Sequence, residues 1–152
     1  MRSALAAFFV DTNVLVYAYD AGDPTRSARA RACLRRLGEA HNGAVSAQVL
    51  GEFFVAVTRR IRPPLAADVA EAIATNLSRA WPVFDITDAS VLEAMRAVQR
   101  YQFQYWDALI WASAKLHGIP TVLTEDMPSG QLIEGVRFEN PFESTFNLAR
   151  LD

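Results

Sequence analysis

The sequence contains few of the residues that build disulfides and zinc sites. Cys33 is the one cysteine, so the chain cannot form an internal disulfide, which fits a reducing cytoplasm. Only His41 and His117 are present as histidines, which leaves little material for a zinc site of Cys and His ligands. No apolar run approaches the ~18 residues that a membrane span needs. We therefore expect a cytoplasmic protein without a membrane segment.

The N-terminus has only the outline of a secretion signal. Arg2 is followed by apolar residues from Ala4 to Val10, but this stretch is short for a signal sequence and Asp11 ends it. We interpret the stretch as the first strand of the fold.

Charge is distributed unevenly along a chain whose net charge is −2. Lys115 is the one lysine, and arginines are concentrated between residues 26 and 62, at positions 26, 29, 31, 35, 36, 59, 60 and 62. A basic segment of this kind suits nucleic-acid phosphates. The solvated faces of amphipathic helices explain the same pattern equally well.

Strand-like and helix-like segments alternate along the chain. The predicted strands are 7–10, 44–45, 82–84, 121–123 and 136–138, the last of them at an edge of the sheet. Helices are predicted over 13–19, 24–38, 47–60, 65–79, 88–101 and 106–117, with Asp23, Ser46 and Thr87 or Asp88 at helix starts. This order predicts one α/β domain, a three-layer sandwich around a mostly parallel sheet. Ligands of such sheets lie beyond the carboxyl ends of the strands.

Two acids follow predicted strands directly. Asp11 comes after the first strand, where it is equally well explained as a helix N-cap, as are Thr12 and Asn13. Asp126 follows the strand 121–123 in a turn rich in Pro and Gly, where acids are common, and Glu125 has the same explanation.

Two further acids lie on predicted helices. Glu52 shares a helical stripe with Gln48 and Arg59, which a solvent-facing stripe also explains. Asp107 opens an otherwise apolar helix and is by itself well explained as a cap. Taken together with Asp11 and Asp126, these acids converge at one edge of the predicted sheet. Two charges ~4 Å apart repel by about 4 kcal/mol at an effective dielectric of ~20. Such a cluster needs cations or raised pKa values, and oxygen ligands select Mg²⁺ or Mn²⁺.

Four blocks of sequence carry these acids: VDTN at 10–13, SAQVLGEF at 46–53, WDALIWASA at 106–114 and LTEDM at 123–127. In their order and spacing they resemble the PIN-domain ribonucleases, most closely the VapC-type toxins of toxin–antitoxin pairs. The likeness extends over about residues 8–142. It implies a single PIN-like nuclease domain over 1–142, with 143–152 as its C-terminal tail.

The resemblance implies metal-dependent hydrolysis of RNA phosphodiester bonds that leaves 5′-phosphate and 3′-hydroxyl ends. Asp11, Glu52, Asp107 and Asp126 would hold one or two Mg²⁺ or Mn²⁺ ions, with Glu125 as a further candidate ligand. Side chains expected to orient the carboxylates or a water are those of Thr12, Asn13 and Ser46. Candidate contacts to the RNA backbone are Arg26, Arg29, Arg59 and Arg60.

Partners also follow from the resemblance. VapC-type proteins are usually homodimers, neutralised by a small antitoxin whose C-terminal segment covers the acidic pocket and supplies a cation, commonly Arg. Two alternatives stay open. One is a stand-alone or non-catalytic RNA-binding module of the same fold. The other is an aspartate-nucleophile phosphatase, which wants a second Asp at the position occupied by Asn13.

Overall fold

Six short strands form one central sheet in the computed structural model, which describes residues 6–152. The strands are β1 (Phe8–Val10), β2 (Gly43–Ser46), β3 (Val83–Phe84), β4 (Thr121–Leu123), β5 (Leu132–Ile133) and β6 (Val136–Glu139). Their order is β3-β2-β1-β4-β6-β5, and every neighbouring pair is parallel except β5 with β6. The predicted α/β class with a mostly parallel sheet is confirmed. Phe8–Val10 form the expected first strand, whereas Arg2 and Ala4 lie outside the described residues.

Each of the predicted helices is present, and the ends shift by no more than two residues. The helices are α1 (Thr12–Tyr17), α2 (Pro24–Glu39), α3 (Ala47–Arg59), α4 (Ala67–Ala80), α5 (Asp88–Tyr101) and α6 (Tyr105–Leu116). The side chains of Asp23, Ser46 and Thr87 accept hydrogen bonds from the first free N–H groups of α2, α3 and α5, as predicted. Within residues 6–152, no helix combines the length and apolar character needed to cross a membrane.

The helices form two groups, which the sheet order assigns to opposite faces. Right-handed crossovers from β1 to β2 and from β2 to β3 place α1 to α4 on one face. The crossover from β3 back to β4 runs in the other direction and places α5 and α6 on the other face. Packing agrees with this, since α3 contacts α1 and α4, whereas α6 contacts α5, β4 and β6. Phe9 and Trp111 are fully buried between these layers.

The prediction that strand 136–138 forms an edge of the sheet is wrong. β6 lies between β4 and β5, and β5 is the edge strand. The two strands form a hairpin whose turn residues, Glu134 and Gly135, both have positive φ, 48° and 86°. Such turns match the twist of paired strands. β5 has only two residues, so it carries too little hydrophobic alternation to be recognised in the sequence.

The tail, residues 143–152, packs on α2. It ends in a 3₁₀ helix, Leu148–Leu151, whose Leu151 is fully buried. The Arg29 guanidinium donates to the carbonyl oxygens of Pro141 at 2.7 Å and Phe146 at 2.5 Å. These contacts join the tail to the rest of the fold, while the proposed boundary at residue 142 stays a prediction.

Candidate metal centre and acidic cavity

The strand order reverses between β1 and β4, and the candidate site lies at the carboxyl ends of these two strands. β1 pairs with β2 on one side and with β4 on the other. Asp11 follows β1 directly, and its backbone N–H donates to the Leu123 carbonyl of β4 at 3.0 Å. Thr124 and Asp126 follow β4. The sheet therefore brings two separated parts of the chain together at the position where parallel sheets bind ligands.

Three carboxylates converge there. Asp11, Asp107 and Asp126 each present an oxygen, and these oxygens lie within 4.8 Å of one another. Asp11 is only 6% exposed, whereas Asp126 is exposed and Asp107, in the first turn of α6, is intermediate. The structure thus brings together three of the four acids that the sequence motifs carry.

Neutral donors hold the buried carboxylate of Asp11. It accepts hydrogen bonds from the Thr12 backbone N–H at 2.7 Å, the Thr124 hydroxyl at 2.8 Å and the Asn13 amide at 3.2 Å. Burial raises the pKa of Asp11 to about 7, and the charges of Asp126 and Asp107 add to this, although the bonds from Thr124 and Thr12 act against it. The ionised form of Asp11 is therefore costly in the metal-free protein.

The pKa of Asp107 is raised as well. Burial raises its pKa to about 6, with further contributions from the charges of Asp126 and Glu52. A bound cation favours the ionised forms of such neighbouring carboxylates. A site with only oxygen donors suits Mg²⁺ or Mn²⁺. The chemistry of this donor set fits a divalent hard ion.

Glu52 lies beside this cluster without forming part of the closest three. Its Oε1 accepts hydrogen bonds from the Thr12 hydroxyl at 3.0 Å and from the Gln48 amide at 3.2 Å. The side chain lines the same cavity as the three aspartates. Helical spacing on α3 explains the bond from Gln48, which lies four residues earlier.

Asn13 connects the two strand ends. Its Nδ2 lies within hydrogen-bond distance of Asp11 Oδ2 at 3.2 Å, Asp126 Oδ2 at 3.1 Å and Thr124 Oγ1 at 3.2 Å. Its Oδ1 accepts from the Glu125 backbone N–H at 3.3 Å. Asn13 contacts two acids and Thr12 a third, so both side chains that follow Asp11 face the site.

Glu125 is held differently from the three aspartates. Its Oε1 accepts from the Tyr17 hydroxyl at 2.6 Å, and its Oε2 pairs with Arg26 at 2.7 Å. The Glu125 bond is the main cause that raises the pKa of Tyr17 to about 12. Both oxygens of Glu125 are engaged in this structure, and its role as a further metal ligand stays a prediction.

Ser46 does not contact the acids. It is fully buried, it does not line the cavity, and its hydroxyl accepts from the Val49 backbone N–H at 3.5 Å. As the last residue of β2, directly before α3, Ser46 directs its hydroxyl to the first turn of α3. In this structure Ser46 is the cap of α3, and its expected role in orienting a carboxylate or a water stays a prediction.

The four candidate arginines occupy different surroundings. Arg60 lines the cavity, whereas Arg59 is exposed at the end of α3 outside it. Arg26 is paired with Glu125 and Asp23, and Arg29 binds the carbonyls of the tail. The geometry therefore supports Arg60 as a candidate RNA contact and gives Arg29 a structural role instead.

The acids open onto a cavity of about 800 Å³. Among the described residues that line it, Arg60 is the one cation, against six acids: Asp11, Asp20, Glu52, Asp107, Glu125 and Asp126. Asp20, Trp106 and Thr124 are not among the site residues that the sequence predicts. Thr124 could have been found by the same signal as Asp11, because it is the polar residue that directly follows a buried strand. The exposed Trp106 precedes Asp107, and no sequence signal indicated that Asp20 reaches the cavity.

Comparison with known proteins agrees with this geometry. The PIN domain family model matches residues 8–127. VapC20 of Mycobacterium tuberculosis, a sarcin–ricin loop cleaving toxin, is 28% identical, with a TM-score of 0.64 over 86% of this chain and 98% of that one. A toxin–antitoxin complex from Klebsiella pneumoniae is 22% identical, with a TM-score of 0.65 over 93% of this chain and 99% of that one.

A third solved structure, DNA-bound VapBC from Salmonella typhimurium, is 17% identical, with a TM-score of 0.63 over 90% of this chain and 98% of that one. At these identities the Klebsiella and Salmonella structures establish a common fold. The search of curated proteins found no match. The family model spans well over half of the sequence, and its range contains all the acids that converge in the cavity. The chain belongs to the PIN domain family.

Proposed function

We propose that this chain is a metal-dependent endoribonuclease and the toxin of a toxin–antitoxin pair. The observation that carries the proposal is the convergence of Asp11, Asp107 and Asp126, whose oxygens lie within 4.8 Å of one another. Family membership and the likeness to a loop-cleaving VapC toxin support the same reaction class. The intact acids disfavour the alternative of a non-catalytic RNA-binding module.

Asp11, Asp107 and Asp126 are the proposed ligands of Mg²⁺ or Mn²⁺, with Glu52 beside them. When bound, such an ion lowers the pKa of a coordinated water and offsets negative charge on the phosphoryl oxygens. The raised pKa values of Asp11 and Asp107 support this assignment, because a bound cation favours their ionised forms.

The remaining polar side chains hold the acids in place. Thr124 and Asn13 fix the carboxylate of Asp11, and Asn13 also contacts Asp126. Thr12 and Gln48 hold Glu52. Residues that orient metal ligands in this way typically change metal affinity or activity by about 10- to 100-fold when mutated.

The proposal is tested by incubating purified protein with a structured RNA pool and Mg²⁺ or Mn²⁺. We expect cleavage that EDTA abolishes and that Asp107→Asn reduces by several orders of magnitude. Asp85→Asn is a matched control, because Asp85 is an exposed carboxylate that does not line the cavity. If EDTA and Asp107→Asn both leave cleavage undiminished, the carboxylates and their metal do not perform the reaction.

The antitoxin and the homodimer belong to the same proposal. A cavity with six acids and one cation suits a partner segment that supplies positive charge, as expected for an antitoxin tail. Coexpression with the product of a neighbouring short reading frame is expected to suppress cleavage and to yield a stable complex. Sedimentation of the purified chain at several concentrations determines whether it dimerises.

A further inference from the structure

Gly51 lies within α3 at a point where no neighbouring atom requires a glycine. A Cβ built there meets nothing within 4 Å outside its own stretch of helix, and Gly51 is not among the positive-φ residues. Gly43 is different, since a Cβ there would lie 2.6 Å from the Trp81 ring. Glycine in a helix interior lowers stability relative to alanine. What the absent side chain does provide is open space on the cavity wall beside Glu52.

Trp106 presents a large aromatic surface to the same cavity. Its side chain is 54% exposed although it directly precedes Asp107 and lines the acidic cavity. The indole packs edge-on against Tyr105, with ring centroids 5.0 Å apart and an angle of 76° between the planes. Tyr105 itself packs against the core. The ring is therefore supported on one side and accessible from the cavity.

Gln48 connects these two features. Its Nε2 donates to the Trp106 carbonyl at 3.1 Å and to Glu52 at 3.2 Å. Gly51 lies three residues after Gln48 and so occupies the same side of α3. The start of α6 and the open space at Gly51 of α3 therefore adjoin one another on the wall of the cavity. Both lie next to the acids that would hold the metal.

We propose that an unpaired RNA base stacks on Trp106 and that the adjoining ribose and phosphate pass over Gly51. The proposal rests on the ribonuclease function above and names the side chains that would select the nucleotide beside the cleaved phosphate. In a duplex both faces of a base are already stacked, so an indole can receive only an unpaired or extruded base. Stacking depends little on base identity. Trp106 would therefore select for the unpaired state rather than for a sequence.

Binding to two RNA probes tests the stacking. In an Asp126→Asn background that prevents cleavage, affinity is measured by fluorescence anisotropy for a single-stranded oligoribonucleotide and for the same sequence in a duplex. Trp106→Leu is expected to weaken binding of the single strand about tenfold or more and to leave the duplex unchanged. Trp106→Phe keeps an aromatic face and is expected to retain most of the affinity.

Gly51→Ala provides a second test that does not depend on removing the indole. The substitution is expected to raise Tm by about 2 to 4 °C, because alanine favours the helix and meets no neighbour. We expect affinity for the single strand to fall severalfold, and to fall further in Gly51→Leu. Opposite changes in stability and affinity would not arise if Gly51 had only a structural role.

Cleavage kinetics separate this inference from the function on which it rests. With wild-type chemistry intact, Trp106→Leu and Gly51→Ala are expected to raise KM more than they lower kcat. If the wild type cleaves RNA and neither substitution changes KM or binding, the stacking inference fails and the ribonuclease remains. If Trp106→Leu instead disrupts dimerisation or antitoxin binding alone, Trp106 contacts protein and the inference is wrong. Absence of any metal-dependent cleavage by the wild type would refute the proposed function itself.

Discussion

Asp107→Asn is expected to stabilise the metal-free protein at alkaline pH and to destabilise it relative to wild type once Mn²⁺ is added. Asn is nearly the same size as Asp but carries no charge. In the metal-free protein the Asp107 carboxylate is partly buried beside Asp126 and Glu52, and its pKa is raised to about 6. Removing the charge removes both the desolvation penalty and the repulsion.

The magnitude and its pH dependence follow from proton linkage. The folded pKa of Asp107 exceeds its ordinary value of 3.8, so the native state holds more protons than the unfolded state between about pH 4 and pH 6. The contribution of Asp107 to the free energy of unfolding therefore falls as pH rises from about 4 to about 6, and it stays low at higher pH. Each pKa unit corresponds to about 1.4 kcal/mol, which sets a ceiling of about 3 kcal/mol at pH 8. Because Asp107 is partly exposed, solvent screening lowers this ceiling. We expect Asp107→Asn to raise the free energy of unfolding by about 1 to 2 kcal/mol at pH 8.

Thermal unfolding measures the effect. In EDTA at pH 8, Asp107→Asn should unfold about 2 to 8 °C above wild type, since 1 kcal/mol shifts Tm by about 2 to 4 °C at this size. The difference should shrink towards zero at pH 4. Mn²⁺ at about 100 times its Kd should stabilise wild type by about 2.7 kcal/mol and the variant by much less, so that the order inverts.

Asp85→Asn again serves as the control, because an exposed carboxylate outside the cavity should change stability by less than about 0.5 kcal/mol. An Asp107→Asn protein that is less stable than wild type in EDTA at pH 8 would refute the reasoning. The same holds for a difference that does not vary between pH 4 and pH 8.

Three further predictions concern a hydroxyl of the site, the turn between β5 and β6, and two arginines. Thr124→Val removes the hydroxyl that donates to Asp11 and should weaken Mn²⁺ binding about tenfold or more by calorimetry, while Thr124→Ser restores it. Glu134, whose pKa is lowered to about 2 chiefly by its bond from the Tyr101 hydroxyl, should stabilise the fold by about 1 kcal/mol at pH 6. Because the lowered pKa makes this contribution disappear as pH falls from 4.5 towards 2, the Tm difference between wild type and Glu134→Gln should narrow over that range. Arg29→Ala should cost about 1 to 3 kcal/mol in urea unfolding without changing single-strand RNA affinity, whereas Arg60→Ala should lower that affinity and flatten its salt dependence.

The elements that could be predicted from the sequence are those with local determinants. Three helices begin at residues whose side chains bond to a backbone N–H three positions later, namely Asp23 (followed by Pro24), Ser46 and Thr87. Such helix starts can be predicted from the sequence. β5 cannot be predicted in this way, because its two residues form a strand only by pairing with β6. The interior position of β6 has the same origin, since its neighbours are decided by tertiary pairing.

The convergence of the acids could be predicted, but their surroundings could not. Asp11 and Asp126 meet because parallel strands deliver their carboxyl ends to one edge, a rule that needs only the element order. The bond from Thr124 to Asp11 joins residues 113 positions apart and depends on side-chain geometry. Arg29 lies in the basic segment 26–62, which is why the sequence indicates a phosphate contact. In the structure its guanidinium instead donates to the carbonyl oxygens of Pro141 and Phe146.

The donors around the acid cluster are neutral, so the side chains are ordered without loss of the charge that the proposed metal ion would bind. Thr12, Asn13 and Thr124 orient carboxylates through hydroxyl, amide and backbone groups without cancelling their charge. An arginine placed among them would neutralise the acids within the folded chain and remove their affinity for an external ion. Arg26 instead pairs with Glu125 and Asp23 at the margin. The negative charge left uncompensated among the described residues is what a divalent ion would satisfy during catalysis. A cationic side chain of an antitoxin would satisfy the same charge during inhibition, so the two are expected to exclude one another.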